Sequence, residues 1–111
     1  MGLFEKDYLL RLLEQLSEMV AAISAAVRGG KSRDALAMIA EAQQKLAGPL
    51  GAGLDRLDAG SVVSLLGAEK APVYAQLLRL EAEARDALGE QAKARAIEGR
   101  AGAIERALTR S

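Results

Sequence analysis

Apolar residues recur near the start of the chain at alternating steps of three and four: Leu9, Leu12, Leu16, Met19, Ile23 and Ala26. Residues three and four apart stack on one face of an α-helix, so this spacing predicts a first helix over about 5–28. Leu13, Val20 and Val27 widen the face, and Leu3, Leu10, Ser17 and Ser24 add a flanking small-or-apolar row at seven-residue intervals. The polar strip left over is Asp7, Arg11, Glu14 and Glu18, with Arg11 placed to pair with Asp7 and Glu14. A helix this apolar around its girth is expected to be covered on two sides, as the centre of a bundle or as part of a subunit interface.

Chain breakers divide the rest. Gly29 and Gly30 end the first helix, because glycine accepts the left-handed conformation that follows a helix C-terminus. Ser32 is the expected N-cap of a second helix over about 32–47, with Ala35, Leu36, Ile39, Ala42 and Leu46 on its apolar face. So short a turn predicts an antiparallel hairpin. Residues 48–60 hold four of the eleven glycines and one of the two prolines, and read as irregular chain tacked down by Leu50, Leu54 and Leu57. Asp58 is placed to cap a short helix over about 59–66, bearing Val62, Val63, Leu65 and Leu66, which Gly67 ends. Pro72 suits the first turn of a helix over about 72–88, whose face is Val73, Leu77, Leu80 and Ala84. After Gly89 comes a last helix over about 90–109, with Ala94, Ile97, Ala101, Ile104 and Leu108 inward. Gly99 and Gly102 inside it each cost about 1 kcal/mol relative to alanine, so it reads as the weakest element. The expected fold is a single all-α domain over residues 1–111, of about five helices, in two antiparallel hairpins joined by a leucine- and glycine-rich segment.

Composition agrees and narrows the chemistry. Alanine and leucine make up 41 of the 111 residues, whereas aromatic residues are 3%. The chain has no cysteine and no histidine, which excludes disulfides, thiolate chemistry and any mechanism that needs imidazole. Lys and Arg balance Asp and Glu at a net charge of zero, split as −2 over residues 1–27 and +2 over residues 85–111. That asymmetry is too small to suggest nucleic acid as a partner. No apolar run approaches the ~20 residues of a membrane span. Lys6 stands where a myristoylation signal requires serine or threonine. The expectation is a soluble, cytoplasmic protein without cofactor or metal, and not an enzyme.

Possible chemical sites each have a plainer explanation. Asp55 and Asp58 are a carboxylate pair in a loop, where such residues form turns and caps. Glu81 and Glu83, two apart on a helix, point in different directions. Arg95, Arg100, Arg106 and Arg110 form a basic row, but Glu90, Glu98 and Glu105 interleave and blunt its field. The glycines of residues 48–53 lack the Gly-Lys-Ser/Thr ending of a phosphate loop.

Gly30, Ala35, Ile39 and Ala42 reproduce the turn-glycine, small, bulky, small spacing of the tetratricopeptide repeat. Gly89, Ala94 and Ala101 do so again, with Glu98 in the bulky position. The hairpins therefore resemble tetratricopeptide pairs. The two glycines lie 59 residues apart rather than a multiple of the ~34-residue repeat, so no tandem array is implied. The opening from Phe4 to Leu16 resembles that of a family of small bacterial all-helical proteins with the same element order. That likeness implies a fold and no activity.

Large side chains exceed what five short amphipathic helices need inside. Phe4, Tyr8, Leu9, Leu10, Leu13, Val62, Val63 and Tyr74 are the candidate interface. The expectation is a non-catalytic interaction or scaffold module that forms a homodimer, with room for an unidentified protein partner. The competing account is that the middle segment folds back over the first helix and uses these residues as core. An alternative function is a bundle that binds a small apolar ligand, with Tyr8 or Tyr74 as polar handle.

Overall fold

The computed structural model describes residues 2–110, and the side chains of residues 6–51 and 53–110. Four α-helices are present: α1 (Gly2–Arg28), α2 (Ser32–Ala47), α3 (Ala59–Ala87) and α4 (Gln91–Arg110). A 3₁₀ segment, Gly48–Arg56, joins α2 to α3. There is no strand among the described residues.

Both turns close in the same way. Gly30 has φ 77°, and the Lys31 amide donates back to the Ala26 carbonyl at 2.8 Å. Gly89 has φ 86°, and the Glu90 amide donates to the Arg85 carbonyl at 2.8 Å. These bonds satisfy carbonyls that the last helical turn leaves open, and a left-handed glycine makes them possible. Ser32 does not cap α2 as expected: Lys31 occupies the N-cap position and Ser32 is buried in the first turn.

The expected five helices become four because the stretches before and after Gly67 abut across a kink with no loop between them. Gly67 still breaks the regular backbone, with φ 84° and ψ 171°. Helical structure resumes directly after it, so Pro72 lies inside α3 rather than at its start. So near the interruption, the proline forfeits the bond its N–H would make to Ala68. The stretch expected to be irregular is instead a nine-residue 3₁₀ helix. Of its three leucine anchors only Leu54 is buried; Leu57 is half-buried and Leu50 is exposed.

A single hydrophobic cluster draws on every element. Leu12, Leu16 and Ile23 of α1 meet Ile39, Ala42 and Leu46 of α2, with Leu54 of the 3₁₀ segment. Val62, Leu66, Tyr74, Leu77 and Leu78 of α3, with Ala101 and Ile104 of α4, complete it. α3 packs against all three other helices. Small residues at Ala35, Ala42 and Ala101 are fully buried, which is what close helix approach requires.

Candidate functional site

The candidate interface residues divide into two groups. On α1, Tyr8 is 68% exposed and Leu10 is 52% exposed, while Leu9 and Leu13 are half-buried. On α3, Val62 is 0%, Val63 9% and Tyr74 5% exposed. These three are intramolecular core, which corrects their assignment to an outer face. The start of α3 turns both valines inward, whereas Leu65 beside them is 52% exposed. Phe4 lies outside the described side chains.

The rest of α1 has an unusual outer surface. Asp7, Arg11, Glu14 and Glu18 are all exposed, and the expected pairing of Arg11 with Asp7 and Glu14 does not occur. From Met19 to Val27 the helix carries no charge, and Ala21, Ala22 and Ala25 face solvent. Ser17 is exposed, and Val20, Ser24 and Val27 are half-buried. The ion pairs among the described residues lie on α3, α4 and the turn between them.

A cleft of about 480 Å³ opens where the 3₁₀ segment meets α2, α3 and α4. Tyr74, Asp55, Glu81, Arg100 and Gln43 contribute its polar groups, and Leu78 and Ile97 its apolar wall. Burial pushes the Tyr74 hydroxyl above its ordinary pKa; nearby Arg100 pulls it down, and Asp55 and Glu81 push it further up. Arg100 Nη2 donates to the Leu54 carbonyl at 2.5 Å, tying the 3₁₀ segment to α4. Glu81 accepts from Arg85 Nε at 3.0 Å, and Arg85 Nη1 also donates to Glu90 at 2.8 Å. Both pairings raise the Arg85 pKa, the Glu81 bond foremost. The charged groups of the cleft are thus largely engaged by the chain itself.

Neither carboxylate pair considered from the sequence is brought together. Asp55 lines the cleft, whereas Asp58 sits at the start of α3 and accepts the Ser61 hydroxyl at 2.5 Å. That bond, aided by nearby backbone amides, holds the Asp58 carboxyl below its ordinary range. Glu81 faces the cleft, while Glu83 lies in a separate groove beside Arg95. The juxtaposition that does form, Asp55 with Glu81, Tyr74 and Arg100, has no sequence signature, because helix packing alone unites those positions. The basic row is also dispersed: Arg100 is held by Leu54, and Arg106 and Arg110 border a groove beside Asp58. Glu98 and Glu105 are both taken by Arg79 of α3, at 2.7 and 2.5 Å. Among the described residues no three acidic side chains converge as a metal site would require.

No family model, curated protein or solved structure matches the chain. Among the described residues no helix is long and apolar enough to cross a membrane.

Proposed function

We propose that this protein is a non-catalytic interaction or scaffold module that self-associates through the outer face of α1. The exposure of Leu10 carries the reading, since it is large and apolar on a helix whose Leu12 and Leu16 are already buried. Tyr8, two residues earlier, opens on another side of the helix, toward a groove shared with Leu12, Gln15 and Lys45. The uncharged run from Met19 to Val27 extends that surface along the helix. The fold behind it is read as two antiparallel, tetratricopeptide-like hairpins, α1–α2 and α3–α4. Supporting this are the matching glycine turns and the ion pairs from Arg85 to Glu90 and from Arg79 to Glu98 and Glu105. The likeness of the opening sequence to small bacterial helical proteins supports a bacterial, cytoplasmic setting.

Sedimentation equilibrium tests the reading. The expected mass is twice the chain's 11.7 kDa, and Leu10→Ser should shift it toward one chain. Leu10 is about half exposed, so burying the remainder in two symmetric copies is worth about 2 kcal/mol, or about thirtyfold in Kd. A parent protein that stays at 11.7 kDa at high micromolar concentration refutes self-association. A second reading, a bundle that binds a small largely apolar ligand, is favoured by one observation: the buried Tyr74 borders a cleft walled by Leu78 and Ile97. Native mass spectrometry would show a retained small molecule, lost in Tyr74→Phe.

A further inference from the structure

The core-facing positions of α1 are Leu9, Leu12, Leu16, Met19, Ile23 and Ala26. The same three-four pattern recurs one residue later, at Leu10, Leu13, Ser17, Val20, Ser24 and Val27. One residue is about 100° around a helix, so this second seam flanks the first, with Val20 and Val27 partly packed against the core and Leu10 and Ser17 open to solvent. None of its six members is fully buried, and Leu10 and Ser17 are exposed. Alternating three-four spacing over this length is the pattern by which two helices interlock side by side.

We propose that this second seam packs against the same seam of a second copy, with the two α1 helices antiparallel. The proposal rests on the self-association described above and specifies its geometry. In antiparallel packing Leu10 meets Val27 of the second copy, Leu13 meets Ser24 and Ser17 meets Val20. Every layer then sets a larger apolar side chain against a partner of different size. Parallel packing would place Ser17 on Ser17 and Ser24 on Ser24, leaving hydroxyls opposed in two of the six layers.

Charge selects the same orientation. Along the edge of the seam away from the core lie Asp7, Glu14, Ala21 and Arg28, at seven-residue intervals. Antiparallel alignment brings Arg28 of each copy beside Asp7 of the other and sets Glu14 against Ala21, so no like charges face one another. Among the described residues none of these charged side chains has an ion-pair partner. The opposite edge is formed by Leu9, Leu16 and Ile23, which makes the interface continuous with each copy's own core.

The chain lacks cysteine, which permits a direct test with single-cysteine variants. Leu13→Cys and Ser24→Cys are prepared separately, oxidised alone and then as a mixture. Antiparallel packing puts each cysteine roughly 16 Å along the helix from its own counterpart, too far for a disulfide. The expected result is that neither variant cross-links alone and the mixture gives the mixed disulfide dimer. Cross-linking of each variant with itself would establish parallel packing and overturn the proposal. A dimer by sedimentation that forms no disulfide in any mixture would also overturn it while leaving self-association intact. A monomeric parent would overturn both. Arg28→Asp provides a second measurement that leaves the core untouched. It should weaken dimerisation roughly tenfold, and Asp7→Arg in the same chain should restore it. Absence of that rescue contradicts the register.

Discussion

The sharpest test of the helical architecture is Gly67→Ala. Gly67 sits at φ 84° and ψ 171°, a backbone region essentially restricted to glycine. An added Cβ meets nothing closer than Glu69 Oε2 at 3.8 Å, an ordinary contact. The cost is therefore conformational rather than steric. Holding a non-glycine residue in such a region costs about 1–3 kcal/mol. The substitution also stiffens the unfolded chain, which offsets about 0.4–1 kcal/mol. The net expectation is a loss of about 1–2 kcal/mol, or a fall in Tm of roughly 5–10 °C for a domain of this size. Gly99→Ala is the internal control. Gly99 lies inside α4 with nothing within 4 Å of an added Cβ, so its replacement should stabilise by about 1 kcal/mol. Urea melts followed by circular dichroism at 222 nm would give both values. If Gly67→Ala were neutral or stabilising, Gly67 would have to be helical and α3 continuous, and the account of the kink would fail.

Three further outcomes follow from the packing and the charges. Leu77→Ala, at a fully buried position in α3, should cost about 2–5 kcal/mol in the same melts, and a loss under 1 kcal/mol would contradict its central place. Hydrogen bonding from Arg79 depresses the Glu105 carboxyl below its ordinary 4.5, so its contribution is present above that value and is lost as acid protonates the folded state. Stability measured from pH 6 down to 2 should therefore fall less steeply in Arg79→Ala than in the parent; parallel curves would show the pair to be inert. Burial raises the Tyr74 hydroxyl above 10, so ultraviolet titration should show a tyrosine ionising late. Removing the neighbouring cation with Arg100→Gln should delay it further, and the associated stability should disappear as alkaline pH passes through that raised value.

The sequence was most informative where glycine interrupts a strong period. The bounds of α2 follow from Gly30, Gly48 and the face of Ala35, Ile39, Ala42 and Leu46. The 3₁₀ segment was illegible because its leucines fit no α-helical face, and only packing decides that Leu54 goes in and Leu50 stays out. Val62, Val63 and Tyr74 were misplaced for a related reason. Apolar excess counts large side chains, but not how much surface a kinked α3 covers by touching three other helices. Tyr8 and Leu10 were placed on the outside by the same reasoning, and there the structure leaves them exposed. The convergence of Asp55, Tyr74, Glu81 and Arg100 had no local pattern to reveal it.

The central place of α3 has a consequence for the chain during its synthesis. Leu12, Leu16 and Ile23 of α1 belong to a cluster that needs Tyr74 and Leu77, and α3 ends about sixty residues after α1. At 5–20 residues per second, α1 waits roughly 3–12 s with its inner seam uncovered. Only α2 and the 3₁₀ segment that follows it precede α3 to shield it in that interval. A nascent chain paused before α3 is therefore the form of this protein with most apolar surface to offer, and the most open to capture by a chaperone or a neighbouring chain.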